Sequence, residues 1–194
     1  DIWLLYPKLG LEKSLQVLEE IGIKYIEYPY ELFEGSGRGL RERVRDVAEK
    51  ADSFRIKPYQ LHAEYGGINF ELSSQDPHTR EAALKRLKQW ILYADMLGVN
   101  VLVTHLAFPK PSLADTYDNI IRRVIRINSF LVKELIHFAD DHGIVIAFEN
   151  CMEPWFGASP ADLKLLLADV DKHGVCLDTG HLNVNNLDVA AAIR

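Results

Sequence analysis

DMLGVNVLVTHL, residues 95–106, decides how the rest of the chain is read. It opens on the end of an amphipathic segment. Gly98 follows, then the β-branched run from Val99 to Val103, and the run stops at His105. A glycine after the last periodic residue marks a left-handed helix stop, and the apolar run behind it is long enough for a buried strand. The same grammar recurs as EEIGIKYIE (19–27), DDHGIVIAF (140–148) and DKHGVCLD (171–178). Gly22, Gly98, Gly143 and Gly174 are therefore each expected to end a helix just ahead of a strand. Strands that alternate with helices in this way make βα units and a parallel sheet.

Working outward, the helices are marked by their starts. Asp76-Pro77 reads as an N-cap followed by proline at the first helical position, and Leu84, Leu87, Ile91 and Ala94 continue at helical spacing. Ile120, Val124, Ile127, Leu131 and Leu135 form the stripe of a longer helix. Ser159, with Asp162 three residues on, reads as another N-cap. Strands are predicted at 2–6, 25–28, 58–62, 99–105, 144–149 and 175–178. No long linker or low-complexity tract divides the chain, so residues 1–194 are expected to form one domain. A (β/α)8 TIM barrel has eight strands and about 250 residues. The expected fold is thus α/β, an incomplete (β/α)8 barrel of about six βα units that lacks the last two.

Composition narrows the class. With 194 residues, 48% hydrophobic and 26% charged, the chain can bury one good core. Its apolar runs fall short of the roughly 18 residues of a membrane span. It opens on Asp1 with no basic and apolar leader pattern, so no signal peptide is expected. Cys151 and Cys176 both lie in or beside apolar runs, which suits a reduced, cytoplasmic protein. The net charge of −6 lacks the basic footprint of a nucleic-acid binder. Arg38, Arg41, Arg43 and Arg45, interleaved with acids, read as a solvated helix face.

The chemistry gathers at the strand ends. Successive predicted strands finish on Glu27, His62, His105, Glu149-Asn150 and Asp178, with His181 just beyond. In a parallel barrel all these ends open onto one face, where active sites lie. Carboxylates and imidazoles converging there outline a divalent-metal site, Asp178 supplying a ligand and His181 a nearby proton donor. Glu149 follows Ile-Val-Ile-Ala-Phe, and a carboxylate there is not buried without a metal or a cation. Bland readings stand beside these. Glu27 pairs with an arginine; His62 and His105 are hydrogen-bonded core histidines; Asp178 merely starts a turn. Trp155 and Phe156 either cover the site or pack within their loop, and Tyr65 is similarly placed.

LHAEYGGINF, LGVNVLVTHL, IAFEN and GVCLDTGHLN, in this order, resemble the xylose isomerase-like TIM-barrel superfamily. It includes the sugar phosphate isomerases/epimerases and the endonuclease IV type of abasic-site nuclease. In the isomerase/epimerase branch one divalent metal is held by Glu, Asp, His and Glu on the fifth to eighth strands. The resemblance implies that Glu149 and Asp178 are the first two ligands, that the others lie beyond Arg194, and that His181 contacts substrate. In the nuclease branch the positions of His62 and His105 also bind zinc. That branch reads HPG and DTCH where this chain has THLAF and DTGH.

The function expected is a metal-dependent sugar or sugar-phosphate isomerase or epimerase that moves a proton through an enediolate. Glu149 and His181 are the catalytic candidates. His62, His105, His181 and Trp155 are expected to bind substrate, and Glu149 and Asp178 one Mn²⁺, Mg²⁺, Co²⁺ or Zn²⁺ ion. The expected partner is a small sugar, with no nucleic acid and no membrane, in a possible homo-oligomer. The alternatives are a zinc-dependent abasic-site nuclease and a barrel that binds a polyol without turnover.

Overall fold

The computed structural model describes residues 2–34, 39–109 and 116–194. Five strands, β1 (Tyr25–Tyr28), β2 (Lys57–His62), β3 (Val101–His105), β4 (Val145–Glu149) and β5 (His173–Cys176), form one sheet in sequence order. Every neighbouring pair is parallel. This is the expected α/β barrel arrangement, incomplete, with β1 and β5 at its edges.

The first of the six predicted strands, at 2–6, is a correction. The Ile2 carbonyl accepts the N–H groups of Leu5 and Tyr6, and the chain runs on into α1 (Tyr6–Leu9). A short apolar run carries no period that separates strand from helix. Pro7 decides here, because it sits in the first turn of α1, where its missing N–H costs nothing. Ile2 is buried, while Trp3 and Leu4 face solvent.

The helix signals otherwise hold. α2 (Leu11–Glu20) ends at Gly22, and α3 (Leu40–Ala51) runs into β2 without a glycine. α4 (Gly67–Leu72) precedes α5 (Pro77–Met96), where Asp76 accepts from the N–H groups of His78 and Thr79. α6 (Tyr117–Asp140) turns Val124, Leu131 and Leu135 onto the sheet. α7 (Pro160–Leu167) carries a reciprocal cap between Ser159 and Asp162. Two short helices, α8 (Thr179–Val184) and α9 (Val189–Ile193), follow β5. Of the arginine group, Arg41 and Arg45 are exposed on α3, Arg43 donates to the Phe33 carbonyl, and Arg38 lies outside the described residues.

Three of the four signature glycines do what was expected: Gly22, Gly98 and Gly143 have φ of +86°, +65° and +68°. Gly174 does not. It lies inside β5 opposite Ala147, and the left-handed residue is Lys172 at φ +60°. A Cβ at Gly174 would meet the Ala147 Cβ at 3.3 Å, so this glycine serves close packing of β4 and β5.

The core lies between sheet and helices. Ile26, Leu61, Leu102, Ile146 and Phe148 from the strands pack with Leu87, Ile91, Val124, Leu131 and Leu135 from α5 and α6. No helix among the described residues is long and apolar enough to cross a membrane.

Candidate functional site

Register alone aligns the polar strand ends. Residues paired across a parallel ladder point to the same face, and so do residues two apart on one strand. Glu27 pairs with Gln60, two before His62. His62 pairs with Val103, two before His105. His105 pairs with Glu149, and Glu149 with Cys176, two before Asp178. Five strands thus deliver their terminal polar side chains to one mouth.

Glu149 is the hub. It is 6% exposed. Its Oε2 lies 2.8 Å from His62 Nε2 and 3.4 Å from His105 Nε2, and the Cys176 thiol reaches its Oε1 at 3.8 Å. Burial pushes the Glu149 carboxyl up. The His62 hydrogen bond and the nearby imidazoles outweigh this and hold it below the usual carboxylate range. His62 answers in the opposite sense: burial opposes its charge, yet the bond to Glu149 and that carboxylate's charge hold it above its ordinary value. Its Nδ1 lies 2.8 Å from the Ala63 carbonyl. His105 is pushed down to about 4 by burial, so it is neutral near pH 7. Its buried Nδ1 has no hydrogen-bond partner among the described residues.

On the other side of Glu149 stand Asp178 and His181. Asp178 caps α8, its Oδ1 accepting the His181 N–H at 2.8 Å. The turn-starting reading and the convergent one are both true of it. Its Oδ2 lies 3.8 Å from His181 Nε2. His181 Nδ1 is 2.8 Å from the Asn150 carbonyl oxygen. A carbonyl only accepts, so Nδ1 carries a proton, and in the uncharged ring the lone pair is at Nε2. Donor atoms of Glu149, Asp178 and His181 lie within 4.8 Å of one another, as do those of His62, His105 and Glu149.

These groups line a cavity of about 500 Å³. Its walls bring in residues the sequence did not single out: Trp3, Glu31, Phe108, Met152 and Glu153. Tyr65 lines it too, edge-on to His62 and His105, its hydroxyl donating to Glu31 at 2.7 Å. Trp155 is not among the lining residues. It packs on Phe70 and Phe108, and Phe108 in turn faces His105. Glu27 accepts from Gln60. A larger groove of about 650 Å³ lies between α5 and α6, lined by Arg80, Arg126 and Phe130 among others. It sits in the helical layer, so its size says nothing of the strand-end chemistry.

A parallel sheet that gathers carboxylates and imidazoles at its C-terminal mouth defines a barrel architecture rather than one activity. The chain belongs to the xylose isomerase-like TIM-barrel family, whose model matches residues 15–194. The uncharacterized protein MJ1311 of Methanocaldococcus jannaschii is 22% identical over 192 residues, covering 93% of this chain and 63% of its own. The crystal structure of a D-tagatose 3-epimerase-like protein superposes with a TM-score of 0.76 at 22% identity, covering 94% of this chain and 66% of that one. An L-ribulose 3-epimerase gives 0.74 at 18% identity, over 96% and 60%. An IolI protein with a bound zinc atom gives 0.67 at 19% identity, over 91% and 60%. The chain spans about 63% of the length of the curated relative it matches.

Proposed function

We propose that this protein is a divalent-cation-dependent isomerase or epimerase of unphosphorylated sugars, with Glu149 and Asp178 as ligands. The carrying observation is the convergence of Glu149, Asp178 and His181 within 4.8 Å. Two carboxylates suit Mn²⁺, Mg²⁺, Co²⁺ or Zn²⁺, with His181 beside them left to the substrate. A cation also answers the cost of holding an ionised Glu149 in a buried site. Two of the structural neighbours, a D-tagatose 3-epimerase-like protein and an L-ribulose 3-epimerase, support this choice, as does the zinc atom of the IolI protein. The reading takes residues 1–194 as one barrel domain, with further donors supplied by βα units outside it.

A bound cation would supply Lewis acidity toward the carbonyl and adjacent hydroxyl of an α-hydroxy-carbonyl sugar. The protein's own groups do the rest. Glu149 takes the proton from the carbon beside the carbonyl on one face of the sugar, and an epimerisation needs a second acid/base on the opposite face, from the βα units outside residues 1–194. Among the described residues His62 and His105 engage its Oε2 and the Cys176 thiol reaches its Oε1, which makes Oε1 the oxygen that moves the proton. A carboxylate held below its usual range is a weak base, and a closed, dry pocket compensates. His181 Nε2 accepts a hydrogen bond from a substrate hydroxyl. The proton-donor role expected from the sequence belongs to the charged ring, in which Nε2 also carries a proton while Nδ1 stays on the Asn150 carbonyl. Tyr65 and Phe108 wall the sugar, and Trp155 acts by backing Phe108.

The choice of an unphosphorylated sugar rests on charge. Glu27, Glu31, Glu149, Glu153 and Asp178 line the cavity, and a phosphate dianion would meet five carboxylates. Turnover in D₂O with Mn²⁺ should place deuterium beside the carbonyl of free ketoses, at least about ten times faster than of their phosphates. Glu149→Gln should abolish incorporation. No exchange on any sugar would overturn the reading.

One observation favours a second reading, the abasic-site nuclease: His62, His105 and Glu149 form a second three-donor group. Metal-dependent cleavage of an abasic duplex, without sugar exchange, would establish it.

A further inference from the structure

Asn150 is fully buried, and none of the roles above uses its side chain. Its Nδ2 donates to the Asp178 carbonyl at 3.0 Å, and its Oδ1 accepts the Asp178 N–H at 2.8 Å. The last ladder pair between β4 and β5 is Glu149 with Cys176. Beyond it the two strands part, and the Asn150 amide stands in for the next rung. Its own backbone carbonyl then receives His181 Nδ1 at 2.8 Å. One residue therefore fixes the backbone of Asp178 through its side chain and the tautomer of His181 through its main chain. It also follows Glu149 directly, so the three convergent donors are tied together through it.

We infer that Asn150 is a positioning residue, an amide clamp that sets the Asp178 carboxylate and the Nδ1–H tautomer of His181. The inference rests on the reading of Glu149 and Asp178 as cation ligands with His181 beside them. Its spectroscopic arm does not. Hydrogen-bonded neighbours of ligands orient them and fix ring tautomers, and losing one typically weakens metal affinity by about 10- to 100-fold.

A second asparagine supplies the control. Asn128 is equally buried and makes the same paired contact, with the N–H and carbonyl of Ala107, at 2.7 and 3.0 Å. It holds the loop after β3, and among the described residues its side chain makes no hydrogen bond to Glu149, Asp178 or His181. Asn150→Ala and Asn128→Ala should cost comparable stability by thermal melting. Only the first should weaken Mn²⁺ binding, by about 10-fold or more in an EPR titration. In the cation-free protein, long-range ¹⁵N–¹H spectra should show His181 protonated at Nδ1; Asn150→Ala keeps the accepting carbonyl but releases the Asp178–His181 turn from it, so a tautomer mixture should appear. If Asn150→Ala fails to fold, Asn150→Asp keeps the size and the acceptor but loses the donor, and it should show the same two effects.

Three results would overturn the inference: His181 protonated at Nε2 in the unsubstituted protein, an unchanged tautomer and affinity in the Asn150 variant, or an equal loss of affinity in both alanine variants. If the unsubstituted protein binds no Mn²⁺, the cation reading fails, and the tautomer alone decides the clamp.

Discussion

Asp178 combines two tasks that chemistry allows to be separated. Its Oδ1 closes the first turn of α8, and its Oδ2 faces His181. Asparagine is as good an N-cap as aspartate, because the cap needs only a side-chain oxygen. Asp178→Asn should therefore keep the melting temperature within the equivalent of about 0.5 kcal/mol while losing bound cation by elemental analysis. Asp178→Ala should lose the cation and about 1 kcal/mol of stability. A full cation complement in Asp178→Asn would remove Asp178 from the ligands. A residue of another kind, Tyr28, reports on pH. Its phenol is buried at the end of β1, and burial, helped by the charge of Asp52, pushes it up to about 12. Between pH 10 and 12 the unfolded chain gives up this proton and the folded one keeps it. The native state then binds more protons, so stability falls as pH rises. A displacement of about two pH units corresponds to roughly 2–3 kcal/mol. Urea melts across pH 9–12 should show a decline that is smaller in Tyr28→Phe.

At the scale of elements, the sequence spoke through punctuation. Gly22, Gly98 and Gly143 were legible because a left-handed helix stop leaves no cheap alternative to glycine. Asp76 and Ser159 were legible because a cap needs an oxygen at one position. The run at 2–6 misled because five apolar residues fit either a strand or a buried turn, and only tertiary contacts choose. Gly174 misled for the opposite reason: its pattern matched a helix stop, yet the demand came from Ala147 on the neighbouring strand. The donor set itself was legible, since acids and histidines at strand ends must share a mouth once the sheet is parallel. The links among donors were not, because the pairing of Asn150 with Asp178 depends on register. Gly174 yields a direct test. Gly174→Val would place its branches against Ala147 and force β5 away from β4. Destabilisation of about 1–3 kcal/mol is expected in denaturant melts, largely restored when Ala147→Gly opens the space. A neutral Gly174→Val would mean that the strands are not packed this closely.

The whole molecule is a sheet with a protected middle and two edges. β2, β3 and β4 are each paired on both sides, β2 with β3 through two residue pairs only, whereas β1 and β5 have one strand neighbour among the described residues. The edges also show more apolar surface: Tyr25 on β1 and Val175 on β5 are more than half exposed. Amides with one ladder neighbour and an exposed face open by local fluctuation, well short of global unfolding. Hydrogen exchange should therefore be slowest in β3 and β4 and at least about tenfold faster in β1 and β5. The site sits across one of these edges, because Glu149 ends β4 while Asp178 lies just past β5. A cation held by both carboxylates would cross-link them and stabilise only states in which β5 is docked. At a hundredfold excess over its dissociation constant that coupling is about 2.7 kcal/mol. Adding Mn²⁺ should slow exchange across residues 173–178 by up to about a hundredfold and leave β1 nearly unchanged. Equal slowing of β1 and β5 would point to global stabilisation instead, and no slowing at 173–178 would mean that Glu149 and Asp178 do not share an ion.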